Sequence, residues 1–165
     1  MVTKHAKSGD FIIFNICSKL EARFAELYHY YGDIFSEDFY ASKLWKKVAL
    51  EEENHLRQFE VADRLYRWSD FEVTVDLERA QRICNKMDTL LEHVRQTPPS
   101  LETALTKAIE MEEAIAYLHM TTAVKFADES IQNLFKAMAG SDLNHIQSLK
   151  DYLTVIHLSR TDMGR

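Results

Sequence analysis

Two stretches of this chain pair an acid with a histidine three residues on, Glu52-x-x-His55 and Asp142-x-x-His145. Each is preceded along the chain by a lone glutamate in a helical pattern, Glu21 for the first and Glu112 for the second. Residues i and i+3 are neighbours on one helix face, so an acid-x-x-His pair aims a carboxylate oxygen and an imidazole nitrogen at one place. The set amounts to four acids and two imidazoles. Four carboxylates carry about −4 and two divalent cations about +4, so the loaded cluster is neutral and tolerable in a core. Mixed carboxylate and imidazole ligation suits iron or manganese, and zinc would bind too.

The spacing is repeated. Glu21 is followed by Phe24, Ala25, Leu27 and Tyr28, and Glu112 by Ile115, Ala116, Leu118 and His119, at an offset of 91. Ala49, Glu52, Asn54, His55 and Leu56 are answered by Ala139, Asp142, Asn144, His145 and Ile146, at an offset of 90. A single acid-x-x-His on an acidic helix is ordinarily solvated surface. Finding lone acid and acid-x-x-His twice, at matching offset, is what points to a metal centre. Glu51 and Glu53 sit about 100° either side of Glu52 around a helix and are expected to face outward.

Apolar residues recurring at three- and four-residue steps predict five helical segments. The first runs from about Asp10 to Tyr31 and is closed by Gly32-Asp33. Ser36 is the expected N-cap of the second, which continues to about Trp68, about 48 Å at the usual helical rise. Val73, Thr74 and Val75 read as a short β-like connection. Asp76 caps a third segment with the stripe Leu77, Ala80, Cys84, Met87, Leu91 and Val94, closed by Pro98-Pro99. Ser100 caps the fourth, running to about Phe126, and Asp128 or Ser130 the fifth, running to about Ser159. Short connections predict two antiparallel hairpins, first with second and fourth with fifth. The stretch from Ser69 to Pro99 is then a long crossover with its own helix, and one long crossover is the ferritin-like way of building a four-helix bundle.

The chain has 165 residues, enough for one domain, with 46% apolar and 28% charged residues. Four Gly and two Pro leave few places to break a helix. A net charge of −6 without a basic run argues against nucleic acid or anionic lipid as a partner. Cys17 and Cys84 form no Cys-x-x-Cys pair, which argues against a thiolate metal site and for a reducing compartment. The apolar run Phe11 to Cys17 is too short for a signal peptide or a membrane span. A cytoplasmic protein is expected.

With Glu21 and Tyr28, Glu52-x-x-His55, Glu112 and Asp142-x-x-His145 in place, the chain resembles the rubrerythrin branch of the ferritin-like family over about residues 10–159. The resemblance implies that Glu21 and His55 serve one metal ion, Glu112 and His145 the other, and that Glu52 and Asp142 bridge them. Three features depart from the family pattern. The last bridge is Asp142 rather than glutamate, and the turn after Glu112 carries Ile115 and Ala116 where rubrerythrins have an extra carboxylate. These 165 residues hold no Cys-x-x-Cys pair of the kind that builds a cysteine-ligated rubredoxin module, and none is expected here. Asp142 reaches about 1.3 Å less far than a glutamate, and Gly140 is a place where the helix could approach more closely.

Tyr28 and His119, seven residues beyond the lone glutamates, either hydrogen-bond a ligand carboxylate or are polar members of the core. His29, His5, His93 and His157 read as surface, as do Glu110 and Glu113. Trp45 and Trp68 mark either a dimer contact or the core. The function expected is a di-iron oxidoreductase reacting with O2 or peroxide, of ferroxidase or peroxidase type, fed by an unidentified electron donor. The alternative is a non-enzymatic iron-binding or storage protein. A homodimer or larger homo-oligomer is expected, with no membrane partner.

Overall fold

The computed structural model describes residues 9–66 and 75–163. The described chain is all-helical: α1 Gly9–Ile34, α2 Phe39–Tyr66, α3 Leu77–Gln96, α4 Leu101–Ala123 and α5 Glu129–Met163. There is no strand among the described residues. The β-like connection expected around Val73 and Thr74 lies outside them, as do Trp68 and His5. No described helix is long and apolar enough to cross a membrane.

Capping chemistry sets most boundaries. The Asp76 side chain accepts from Arg79 N at 2.8 Å and that of Ser100 from Thr103 N at 3.2 Å, satisfying amides that the first turns of α3 and α4 leave free. Asp128, not Ser130, caps α5, accepting from Ile131 N at 3.0 Å. Before α2 the cap is Asp38 rather than Ser36, accepting from Ala41 N at 2.9 Å. α4 ends at Ala123, short of Phe126, and α5 runs past Ser159.

Gly32 does not close α1. It lies inside the helix without a positive φ. A Cβ there would stand 3.0 Å from Lys46 Cγ and 3.6 Å from Trp45 Cβ, so the missing side chain serves close approach of α2. Ser42 Oγ donates to the Gly32 carbonyl at 2.9 Å across the same contact.

α1 packs along α2, and α4 along α5. α3 lies on α1 and also touches α4. Its predicted stripe is the buried one: Ala80, Cys84, Met87, Leu91 and Val94 are core, with Leu77 partly buried against it. The polar rim of that contact is held by Arg23–Asp88 at 2.8 Å and Tyr30 Oη donating to Val94 O at 2.8 Å.

Two aromatic clusters fill the core. Phe14 stacks on Phe126 and Phe135, and Trp45 packs on Tyr28 and Tyr31. Trp45 is 0% exposed, so it belongs to the core and presents no surface to a second copy. The candidate site borders both clusters, since Tyr28 belongs to one and His119 packs on Phe59 and Phe135 of the other.

Candidate metal centre

Four helices each contribute to one buried polar cluster: Glu21 and Tyr28 from α1, Glu52 and His55 from α2, Glu112 and His119 from α4, Asp142 and His145 from α5. None of the eight is more than 5% exposed. The helical phase inferred from i,i+3 spacing is the one found, because each acid and its histidine point into the same interior.

Glu52 lies at the middle. Its Oε2 is 2.8 Å from His55 Nδ1 and its Oε1 is 2.9 Å from His145 Nδ1. The two imidazoles face each other as near-parallel rings, 5.8 Å between centroids and 21° between planes. Glu21 Oε2 stands 3.5 Å from His55 Nδ1, and Glu112 Oε1 stands 3.5 Å from His145 Nδ1. Two triads that could hold a metal ion result, Glu21–Glu52–His55 and Glu52–Glu112–His145, each with donor atoms within 4.8 Å of one another. Metal bonds of about 2.0–2.2 Å let donors sit up to about 4.4 Å apart across one ion, so little adjustment closes either triad.

Asp142 is in neither triad. It is buried beside them, with Oδ2 2.8 Å from His119 Nδ1. His119 Nε2 then lies 3.5 Å from Glu21 Oε1. Its repeat counterpart, Tyr28, donates to Glu112 Oε1 at 2.5 Å. Both Tyr28 and His119 are fully buried and touch carboxylates of the cluster: Tyr28 hydrogen-bonds Glu112, and His119 pairs with Asp142.

Gly140 does not draw the α5 backbone inward. A Cβ there would meet nothing within 4 Å, because the residue points to open space.

Glu21 Oε1 and Oε2, Glu52 Oε1, Glu112 Oε2, His119 Nε2, Asp142 Oδ1 and His145 Nδ1 are all buried without a hydrogen-bond partner among the described residues. Such orphans are rare in folded proteins because each forfeits its solvation. His145 Nδ1 and Glu52 Oε1 are close yet not aligned as donor and acceptor. Several of these atoms belong to the two triads, and carboxylate oxygens and imidazole nitrogens brought this close together are what a cation requires, so the residues present fit metal ions.

The electrostatics agree. Burial and the neighbouring Glu52 carboxylate push Glu21 well above the usual carboxylate range. Burial and Glu52 also push Glu112 up to about 8. Glu52 itself is held well below that range, because contacts with His145 and His55 outweigh its burial. His145 is pushed up to about 11: burial opposes its charge, but the Glu112 and Glu52 carboxylates beside its Nδ1 prevail. Without cations the cluster therefore stores protons in place of positive charge.

One participant was misplaced by sequence reasoning. Glu51 does not simply face outward; its Oε2 lies 2.8 Å from His145 Nε2. The signal available was its position, one step round the helix from Glu52 on the edge that meets α5. Glu53 is engaged away from the cluster, with His29 at 2.8 Å and with Arg57. His29, expected on the surface, is half-exposed in that pair. Glu110 and Glu113 are exposed and paired with Lys107 and Lys150. His93 is exposed, and His157 is exposed and pairs with Glu102 at 2.9 Å.

No family model, no curated protein and no solved structure matches this chain.

Proposed function

We propose that this chain is a di-iron carboxylate protein of ferritin-like architecture, two antiparallel hairpins with α3 in the crossover, that reacts with O2 or peroxide. The observation that carries the reading is Glu52: one oxygen turned to each of two buried imidazoles, with Glu21 completing one triad and Glu112 the other. A shared carboxylate between two mixed oxygen-nitrogen triads is a site for a pair of ions, and that donor set suits iron.

Glu21 and His55 would hold one ion, Glu112 and His145 the second, and Glu52 both. Bound iron would supply one-electron redox chemistry and Lewis acidity. The protein's own groups do the rest. Tyr28 holds the Glu112 carboxylate by a hydrogen bond, and Asp142 holds His119 against Glu21. The Phe14 and Trp45 clusters keep bulk water away, which strengthens every electrostatic interaction inside. Cys17 and Cys84 are buried free cysteines, in keeping with a reducing compartment such as the cytoplasm.

Anaerobic loading with ferrous iron, followed by O2 or peroxide, tests the reading. Two irons per chain, near-ultraviolet ferric absorbance and repeated turnover with an added reductant are expected. Two irons that oxidise once and stay bound would convert the assignment to iron storage. Fewer than two would remove the paired centre.

A further inference from the structure

His145 presents its two ring nitrogens to different surroundings. Nδ1 faces the centre, 2.9 Å from Glu52 Oε1 and 3.5 Å from Glu112 Oε1. Nε2 faces away from it, 2.8 Å from Glu51 Oε2. Glu51 stands on the boundary between core and solvent: its side chain is 37% exposed, against 3% for His145. An ionised carboxylate can only accept hydrogen bonds. Nε2 therefore donates to Glu51, and in the neutral ring that a bound cation would require, the lone pair is left on Nδ1, aimed at the two carboxylates that would share the cation with it.

Among the described residues, no carboxylate pairs with the outer nitrogen of the other histidine. His55 also turns Nδ1 inward, toward Glu52 at 2.8 Å and Glu21 at 3.5 Å. The residue that matches Glu51 in the repeat is Ser141, which carries no charge. A carboxylate behind an imidazole fixes the ring and makes its ligating nitrogen a better donor. The two halves of the centre differ in this respect despite the matched ligands.

We propose that Glu51 is a positioning residue that locks His145 in the Nε2–H tautomer and makes the Glu112–His145 half the tighter cation site. The proposal rests on the two-cation reading above.

Anaerobic calorimetric titration of the 165-residue chain with cobalt(II), at one fixed pH, tests it. Wild type should take up two ions with unequal affinities. Glu51→Ala should weaken the tighter site by about 10–100-fold, leaving the other within twofold. Glu51→Gln, which keeps an acceptor oxygen but no charge, should fall between wild type and Glu51→Ala. Glu53→Gln should change neither affinity by more than twofold. In the His145→Ala background, Glu51→Ala should add no further loss. A second readout is the His145 ring in zinc-loaded, 15N-labelled protein: a protected low-field Nε2–H signal in wild type, lost in Glu51→Ala. Both affinities within twofold of wild type in Glu51→Ala and Glu51→Gln, with the ring signal retained, would overturn the role of Glu51. Wild type binding fewer than two cobalt ions would instead overturn the two-cation reading, and this proposal with it. The metal-free melting temperature of each variant separates either result from misfolding.

Discussion

Tyr28 of α1 donates a 2.5 Å hydrogen bond to Glu112 of α4, 84 residues away in the chain. Its repeat counterpart, His119 of α4, stands 3.5 Å from Glu21 of α1. Each half of the repeat thus sends its aromatic residue to the lone glutamate of the other half. The contact ties α1 to α4 where the core is most polar. Tyr28 is itself fully buried, and burial together with Glu112 pushes its hydroxyl well above the usual range, so it remains a donor.

Tyr28→Phe removes that donor and leaves another Glu112 oxygen unpartnered. The metal-free protein is expected to lose about 1–3 kcal/mol of unfolding free energy. Urea unfolding in the presence of a chelator measures this. A loss below about 0.5 kcal/mol would mean that the hydrogen bond contributes little in the folded state.

Substitutions within the cluster should divide by role. Glu52→Ala is expected to abolish both cation sites, because both triads share it. His55→Ala and His145→Ala should each leave one ion per chain. Asp142→Ala should retain two ions, since Asp142 is outside both triads, but lower stability by freeing buried His119. Metal analysis after anaerobic loading reads all four, and loss of an ion from Asp142→Ala would show that its carboxylate is a ligand.

The protonation of the cluster sets a pH dependence with a defined sign. Glu112 is raised to about 8 in the folded chain, from about 4.3 when unfolded. Its contribution to stability is complete at acid pH and lost as pH rises through about 8. His145, raised to about 11, acts in the same direction from about 6.5 upward. Glu52, held low, contributes above the ordinary carboxylate range and loses its contribution on acidification. Metal-free protein should therefore melt at progressively lower temperature from about pH 5 to 9. Cations must displace these protons, so uptake should release protons at neutral pH and tighten as pH rises. Melting curves with a chelator, and calorimetry in two buffers of different ionisation enthalpy, check both halves. A metal-free melting temperature that climbs over this range would contradict the assignment.

The two helix-interior glycines should respond differently to the same change. Gly140→Ala adds a Cβ into open space and should stabilise by about 0.5–1 kcal/mol. Gly32→Ala gains the same helix propensity but presses on Lys46 Cγ at 3.0 Å, so its gain should be smaller or reversed. Thermal unfolding of the pair decides. Equal stabilisation would show that α2 yields freely at Gly32.

Much of the site was legible in the sequence because its signals are local. An i,i+3 pair shares a helix face whatever surrounds it, so Glu52 with His55 and Asp142 with His145 could be oriented before any packing was known. The caps Asp76 and Ser100, and the Ala80 to Val94 stripe of α3, follow from the same short-range rules. The repeat then implied that two such faces meet. Tertiary structure alone decided the rest. Asp142 engages His119 rather than joining a triad, Glu51 reaches His145 across a helix boundary, and Gly32 admits α2 instead of ending α1. Each depends on the distance and rotation between helices far apart in sequence. A shift of about 1 Å there changes which of two neighbouring carboxylates meets a nitrogen, and helical spacing along one chain segment carries no information about that shift.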